Sequence, residues 1–402
     1  MVQKSLGGFF ESFLKKEPIF FNKVVLQSNY TPDNILHRET QVESMAGILA
    51  PALRMEKPSN IFIYGKVGTG KSVSVTYVIK GLLQIAKKNN IPLKAFYLNC
   101  KLKRMADTEY RLIAQLAREF GVDIPATGLP TEEVYKRFVD MLEKEKNLLL
   151  IILDEVDQLV FKRGDSVLYT LIRLNSELKN SQISIIGISN DLVFADNLDP
   201  RIKSSLSEEE LIFPPYNAIQ LQSILKSRAK LAFRDGVVGE GVIEKCSAYA
   251  AREHGDARRA LELLRVSAEI TERKNKQLIG IEDVDDAEEK IERDRILDIV
   301  NTQPKQFKIT LSSIFNICLN NDKKIFTGDV YEIYKDLCYA CGLKPLTQRR
   351  LSDIIAELDM LGIINAKVIS KGRYGRTREI SLAIPQSTTP KIREVLKEGL
   401  GL

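Results

Sequence analysis

The sequence predicts an α/β domain with a parallel sheet and flanking helices, then an all-α domain and a C-terminal winged helix-turn-helix. Three observations predict this order. Apolar runs alternate with helical patterns at first, such runs stop after Phe213, and a basic segment with two glycines follows helical patterns near the C-terminus. A chain of 402 residues is long enough for two or three domains. We expect domain bounds of 1–215, 216–298 and 299–402.

The first domain is predicted from short runs of consecutive apolar residues. Strands that are buried on both faces are apolar throughout, whereas half-exposed strands alternate between apolar and polar residues. Helical patterns lie between the runs, as expected for crossovers that cover a parallel sheet. The predicted strands are 60–64, 93–98, 148–153 and 183–188.

Composition indicates a globular protein in a reducing compartment. Hydrophobic residues make up 44% of the chain and charged residues 28%, and the five cysteines are scattered. Cys338 and Cys341 form a lone CxxC, and we expect a buried helix face there in place of a metal or redox site. No apolar run would cross a bilayer and residues 1–17 lack a signal-peptide pattern, so we expect a cytoplasmic, nucleoid-associated protein without a membrane partner.

An eight-residue segment with three glycines lies between the first apolar run and a helical pattern. Its spacing is that of a P-loop, in which backbone amides and a helix N-terminus surround phosphate oxygens. Lys71 is predicted to reach the β and γ phosphates of ATP, and the Ser72 hydroxyl to ligate Mg²⁺. The predicted phosphate site consists of Gly65, Lys66, Val67, Gly68, Thr69, Gly70, Lys71 and Ser72.

Polar residues follow two further apolar runs. Asp154 and Glu155 come directly after run 148–153, and Asn190 follows the run that begins at Ile183. Open α/β sheets bind ligands at the carboxyl ends of their strands. We expect Asp154 to orient Mg²⁺, Glu155 to polarise the attacking water, and Asn190 to hydrogen-bond that water or the γ-phosphate.

The C-terminal region predicts a DNA-reading helix and a basic hairpin. Leu351, Ile354, Ile355 and Leu358 define one apolar helix face, and two arginines occupy the first turn, where they oppose the helix dipole. A recognition helix presents such N-terminal side chains to base edges. The predicted DNA contacts are Gln348, Arg349, Arg350 and Ser352 on the helix, and Lys371, Arg373, Tyr374, Arg376 and Arg378 on the hairpin.

The order of these elements resembles the AAA+ ATPases. A strand ending in Asn190, followed by Asp199-Pro200-Arg201 and later by Gly255-Asp256-Ala257-Arg258, is similar to their sensor 1, arginine-finger and sensor 2 elements. The combination resembles the archaeal origin-recognition and cell-division-control initiator family over nearly the whole chain. The resemblance implies an α/β P-loop AAA+ domain, an all-α lid and a C-terminal winged helix-turn-helix.

The resemblance also implies roles for single residues. Arg258 would reach the γ-phosphate from the lid, and Arg201 would act on a neighbouring subunit's ATP or remain an exposed loop arginine. Segment 30–39 is similar to the family's nucleotide-base pocket, with Leu36 where relatives usually carry proline, and segment 99–118 is similar to a basic, initiator-specific helix. The residues so assigned are Ile35, Leu36, Arg38 and Tyr216 for the base, and Lys101, Lys103 and Arg104 for DNA.

The leading functional hypothesis is a replication initiator. ATP or ADP, with Mg²⁺, would act as a slowly hydrolysed switch that sets how the protein grips double-stranded origin DNA. The resemblance implies paralogous initiator subunits and the MCM helicase as partners. Two alternatives stay open: a fast AAA+ motor or loader that docks on a protein, and a nucleotide-switched transcription regulator or repressor paralogue.

Overall fold

Internal contacts divide the chain into two units, Met1–Val284 and Asp285–Leu402. The computed structural model describes residues 11, 14, 17–28, 30–101, 109–121, 124–125, 128–194, 198–206, 208–320, 325–370, 376–384 and 388–401. One boundary therefore lies between Val284 and Asp285. The finer division of the chain after residues 215 and 298 stays a prediction.

A five-stranded sheet lies at the centre of the first unit. The strands stand in the order β2-β3-β4-β1-β5, and each neighbouring pair is parallel. Because parallel strands all end at the same edge, the residues that follow β1, β3 and β4 meet there. The strands are Ile61–Tyr64 (β1), Leu93–Asn99 (β2), Leu148–Asp154 (β3), Gln182–Ser189 (β4) and Glu209–Ile212 (β5).

Both faces of this sheet are covered, which explains why its central strands are apolar throughout. In β3, Leu149 and Ile151 join one hydrophobic cluster, whereas Leu150 and Ile152 join another. The predicted parallel sheet with helices on both sides is confirmed. The helices of the first unit's sheet region are Glu39–Leu49 (α1), Lys71–Lys88 (α2), Glu109–Glu119 (α3), Thr131–Leu142 (α4), Val156–Arg163 (α5), Ser166–Glu177 (α6) and Pro200–Leu206 (α7).

Two features of this region differ from the sequence prediction. The edge strand β5 was missed because Glu209 and Glu210 interrupt its apolar pattern, and an edge strand tolerates such charges. Of the helix expected over 99–118, Glu109–Glu119 is helical, whereas Asn99 ends β2 and pairs in register with Asp154 of β3; residues 102–108 lie outside the described residues. Short 3-10 helices at Lys23–Leu26 and Ala50–Arg54 complete the region.

Helices follow the sheet, as the sequence predicts. Asn217 forms a capping box with Gln220 at the start of the first of them, and the Asp256 carboxylate caps the third by accepting from the amides of Arg258 and Arg259. The helices are Ala218–Ala232 (α8), Val242–Arg252 (α9), Ala257–Arg273 (α10) and Ile281–Thr302 (α11).

The second unit combines helices with a small antiparallel sheet of order β6-β8-β7. Cys338 is buried in the helical core and Cys341 is half-buried, in agreement with the expected helix face. The two short strands that the sequence predicts at 367–370 and 379–383 are present and longer than expected, and β6 was missed because it has only two residues. The elements are Lys305–Asn320 (α12), Ile325–Phe326 (β6), Thr327–Ala340 (α13), Gln348–Met360 (α14), Ile364–Ser370 (β7), Arg376–Leu382 (β8) and Thr389–Leu400 (α15).

Among the helices of the described ranges, none combines the length and apolar character that a membrane span requires.

Candidate functional site

The P-loop joins the end of β1 to the start of α2, and its backbone requires glycine. Gly68 and Gly70 have φ values of +74° and +92°, in the left-handed region. A Cβ atom at Gly70 would lie 2.5 Å from the Tyr216 hydroxyl oxygen, and one at Gly68 would lie 1.7 Å from a carboxylate oxygen of Asp256. The loop is therefore packed directly against residues that lie far along the chain.

Lys71 is buried at the first position of α2. Its Nζ donates to the carbonyl oxygens of Gly65 and Lys66, at 2.6 and 2.8 Å, and to Oδ1 of Asn190 at 2.9 Å. Burial lowers the pKa of Lys71 to about 8, although nearby Asp154 acts in the opposite direction. Among the described residues no carboxylate forms an ion pair with this ammonium group, and a phosphate oxygen would supply a direct anionic partner.

Asp154 lies beside Ser72 at the end of β3. The Ser72 hydroxyl donates to Oδ2 of Asp154 at 2.8 Å, and the hydroxyl of Tyr97 on β2 donates to the same oxygen. Burial and the Asp154 charge raise the pKa of Tyr97, so the phenol stays protonated. Two oxygen groups are thus held side by side, which suits a hard cation such as Mg²⁺.

Glu155 follows in the left-handed backbone region, with φ of 55°. Its amide donates to Oδ1 of Asp154 at 2.9 Å, and its Oε1 lies 3.9 Å from Lys101 Nζ. The other carboxylate oxygen, Oε2, is buried, and within the part of the chain that the structure describes it has no hydrogen-bond partner. That oxygen is free to accept a proton or a water hydrogen.

Asn190 is fixed from two sides at the end of β4. Its side-chain oxygen accepts from Lys71, and its backbone amide donates to Oδ1 of Asp157 at 3.3 Å. The same Asp157 oxygen accepts from the Ser189 hydroxyl at 3.1 Å. Asp157 was not predicted from the sequence, because the helix that carries it gave no motif.

Helix α10, which belongs to the lid, contacts the P-loop through its N-terminus. The amide of Ala257 donates to the Gly68 carbonyl at 3.1 Å, and the Asp256 side chain touches Gly68. Arg258 then faces the cavity, whereas Arg259 turns away and pairs with Glu253 at 3.1 Å. Arg258, which the family resemblance assigns to the γ-phosphate, is thus the one of the two that lines the cavity.

These groups line one cavity of about 600 Å³. Tyr216 also lines it, as do residues of the N-terminal segment 30–36. Among the residues predicted from the sequence, the lining comprises Ile35, Leu36, Val67, Gly68, Thr69, Gly70, Lys71, Ser72, Asp154, Glu155, Asn190, Tyr216 and Arg258. This volume falls within the usual range of ligand sites, and a cavity of this size accommodates a nucleoside triphosphate.

Arg38 does not line the cavity, although it was predicted to contact the base. Its guanidinium donates to the backbone carbonyl oxygens of Thr69, at 2.9 Å, and of Pro214, and it stacks 3.8 Å from the Tyr216 ring. Burial lowers its pKa. Arg38 thus joins the P-loop to the start of the lid, and we propose a positioning role for it. Gly65 and Lys66 likewise lie outside the lining and act through their carbonyl groups on Lys71.

Arg201 lies on α7, is exposed and is outside the cavity lining. It pairs with Asp199 at 3.0 Å, which raises the pKa of the guanidinium. Both expectations for Arg201 remain compatible with this position: a loop arginine, or a residue that reaches a second subunit.

Residues that were not expected from the sequence also line the cavity, among them Tyr97, Asn99 and Arg228. Tyr97 and Asn99 lie near the carboxyl end of β2, so the strand-end argument used for Asp154 would have found them. Arg228 interrupts the apolar pattern of α8 between Leu225 and Leu231. A cation on an apolar helix face was the available signal.

The predicted recognition helix is α14 of the second unit. The Thr347 side chain caps it, Leu351, Ile354, Ile355 and Leu358 are buried, and Gln348, Arg349 and Arg350 are exposed. Ser352 is half-buried. Arg350 lies 3.7 and 3.8 Å from carboxylates of Asp353 and Glu357.

The basic hairpin is described only in part. Arg378 is half-buried on β8, and its amide donates to the Thr327 hydroxyl at 3.4 Å. Arg376 begins β8, but its side chain lies outside the described part of the chain, as do Lys371, Arg373 and Tyr374. Lys103 and Arg104 of the predicted insertion also lie outside the described residues, whereas Lys101 is exposed beside Glu155.

Comparisons with known proteins match every part of this architecture. Three family models fit consecutive segments: an AAA domain at 54–192, a Cdc6 AAA+ ATPase-type lid domain at 222–289 and a CDC6 C-terminal winged helix domain at 298–391. The chain is 52% identical to ORC1-type DNA replication protein 1 of Methanosarcina mazei, over 97% of this chain and 94% of that protein. It is 51% identical to the ORC1-type DNA replication protein of Pyrococcus furiosus, over 98% and 94%.

A solved structure agrees with these relatives. The ORC1 protein of Aeropyrum pernix, determined in complex with DNA, superposes with a TM-score of 0.83 and 44% identity, covering 95% of this chain and 98% of that one. The predicted fold class and family resemblance are confirmed. Because relatives share about half of their residues with it over nearly its whole length, the chain belongs to the family of ORC1-type DNA replication proteins, with an AAA+ ATPase domain, a Cdc6-type lid and a winged helix.

Proposed function

We propose that this protein is an ATP-dependent replication initiator whose nucleotide state controls its grip on double-stranded origin DNA. One observation carries the proposal. A single cavity joins the P-loop, Asp154, Glu155 and the lid residue Arg258, in a chain that also carries the exposed arginines of α14. A complete ATP site and a groove-reading helix in one protein fit an initiator.

In this proposal the phosphates lie on the P-loop. Lys71 exchanges its carbonyl partners for β and γ phosphate oxygens, and Arg258 bonds to the γ-phosphate with its planar fork. Glu155 accepts a hydrogen from the attacking water, and Asn190 orients that water or the γ-phosphate. The hydrogen bond from Lys71 to Asn190 and that from Ser72 to Asp154 support these roles.

Mg²⁺ fits the same site. The Ser72 hydroxyl and the Asp154 carboxylate are adjacent oxygen ligands, and Mg²⁺ prefers oxygen. Bound there, the ion would neutralise charge on the phosphate oxygens. Ser72 and Asp154 would hold it, and Tyr97 would keep the Asp154 carboxylate in position.

We propose that hydrolysis is slow and acts as a switch. The lid helix contacts the P-loop through Ala257 and Asp256. A change in the nucleotide bound at the P-loop would therefore change the position of the lid. Small shifts at packed contacts of this kind become discrete movements, because interiors do not deform continuously.

The DNA proposal rests on the second unit. Gln348 and Arg349 at the N-terminus of α14 would read base edges, and the hairpin that carries Arg373, Arg376 and Arg378 would contact phosphates. The DNA-bound Aeropyrum pernix ORC1 structure supports this use of the fold. Recruitment of the MCM helicase, association with paralogous initiators and a nucleoid-associated location in the cytoplasm belong to the same proposal.

The test measures duplex binding against salt concentration. Arg373→Ala with Arg376→Ala should weaken binding and lower the slope of log K against log salt by about two, because each phosphate contact contributes about 0.9. Arg393→Ala is the matched control, since Arg393 is an exposed arginine on α15. In parallel, Lys71→Ala should abolish ATP binding. Unchanged duplex affinity in the double variant would contradict the DNA assignment.

A further inference from the structure

Arg228 is a buried cation that faces the ATP cavity. It lies on α8, is only 9% exposed, and its guanidinium stacks 4.6 Å from the centre of the Tyr30 ring. Its Nη1 is fully buried and, across the described parts of the chain, has no hydrogen-bond partner. Burying an ionised donor without an acceptor is costly, so proteins normally pair such groups.

The surroundings of Arg228 show what kind of partner is missing. Burial lowers its pKa, but a guanidinium stays protonated and offers only donors. The acidic side chains that line the cavity within the described residues are Asp154 and Glu155, both at the strand ends beside the P-loop. The cavity lining also includes Tyr30, Ile35 and Leu36 of the N-terminal segment, Ile224 of the helix that carries Arg228, and Leu261 of α10. A ligand in the cavity can therefore supply the missing acceptor, and these residues suit the aromatic and apolar surface of a nucleoside.

We propose that Arg228 is a specificity-determining residue that donates a hydrogen bond to the nucleoside half of ATP, at N3 or N7 of the purine ring or at a ribose hydroxyl oxygen. The inference rests on the proposed function, because the nucleoside occupies the rest of the cavity only when the phosphates bind at the P-loop. Tyr30 holds the guanidinium plane by stacking, so the donor is oriented before the ligand arrives. Binding then satisfies a donor that is otherwise left unpaired.

The first experiment compares two ligands on the full-length protein by isothermal titration calorimetry. Arg228→Met keeps an apolar side chain of similar length and removes the donor. It should weaken ATP binding by about 10-fold to 100-fold, the usual effect of a hydrogen bond from a charged group, and leave binding of inorganic triphosphate unchanged. Lys230→Met is the matched control, since it removes one positive charge from an exposed position of the same helix.

The second experiment locates the acceptor and does not depend on how the methionine variant folds. Wild-type protein is titrated with 7-deaza-ATP, 3-deaza-ATP, 2′-deoxy-ATP and 3′-deoxy-ATP. One analogue should bind about 10-fold more weakly than ATP, and Arg228→Lys, which retains the charge but lacks the planar fork, should bind that analogue and ATP alike.

The outcomes separate this inference from the proposed function. Equal loss of ATP and triphosphate affinity in Arg228→Met would assign the residue to the phosphates and overturn the inference. Unchanged ATP affinity, or equal binding of every analogue by the wild type, would overturn it as well. Failure of the wild-type protein to bind ATP would instead refute the proposed ATP site.

Discussion

The contact between the P-loop and the lid can be tested at Gly68. A Cβ atom at this position would lie 1.7 Å from Oδ1 of Asp256, and the backbone φ of +74° disfavours any side chain. Placing alanine in the left-handed region costs about 1 kcal/mol. Displacing Asp256 removes its hydrogen bonds to the amides of Arg258 and Arg259, at 2.7 and 3.3 Å, and loss of such a helix cap costs about 1 kcal/mol.

Gly68→Ala should therefore weaken ATP binding by about 30-fold, since about 2 kcal/mol opposes the arrangement in which P-loop and Arg258 face the same cavity. Asp256→Gly removes the clashing atoms and costs only a few tenths of a kcal/mol as a cap. The double variant should then keep only the backbone strain and bind about 5-fold more weakly than wild type. Calorimetric titration of the three variants measures these values.

A second glycine supplies the control. Gly81 lies inside α2, and a Cβ atom added there would meet no described atom within 4 Å. Gly81→Ala should therefore leave ATP affinity unchanged and favour the helix by up to about 1 kcal/mol. If Asp256→Gly fails to rescue Gly68→Ala, the loss arises within the P-loop itself, and the reasoning about the lid contact is refuted.

Three further predictions concern hydrolysis, pH and DNA. Glu155→Gln should lower ATP hydrolysis by about 100-fold or more and leave ATP affinity near wild type, because it removes the proton acceptor only; equal turnover would exclude Glu155 as the base. Burial raises the pKa of Asp283, but hydrogen bonds from the Gly280 amide and two lysines outweigh it and lower the pKa to about 2. Since the folded pKa lies below the ordinary 3.8, the stability it contributes is present above about pH 4 and is lost as pH falls towards 2. Asp283→Asn should thus cost about 2 kcal/mol at about pH 7 and a vanishing amount near pH 2, which denaturation monitored by circular dichroism at several pH values would show. Arg349→Ala should weaken sequence-specific duplex binding by about 1–3 kcal/mol. Arg350→Ala should weaken it by less, because Arg350 must first leave two carboxylates of its own helix. Gel-shift titration measures both affinities, and a larger loss in Arg350→Ala would contradict this prediction.

The features that the sequence by itself determined are those encoded by neighbouring residues. The P-loop is a contiguous motif, and the six apolar residues before Asp154 indicate a strand buried on both faces. Helix α14 follows from the spacing of Leu351, Ile354 and Leu358. Periodicity and adjacency survive folding unchanged, because they depend on backbone geometry and not on which strands become neighbours.

The tertiary structure alone decided the features that depend on strand order and on the seating of the lid. Strand β1 lies between β4 and β5, and this arrangement places Asn190 within 2.9 Å of Lys71. Packing turned Arg38 towards backbone carbonyls and buried Arg228 with no hydrogen-bond partner for its Nη1 among the described residues, although both are ordinary arginines in the sequence. The physical reason is that a polar side chain's role is set by the donors and acceptors that surround it after folding, and those come from residues up to about two hundred positions away in this domain.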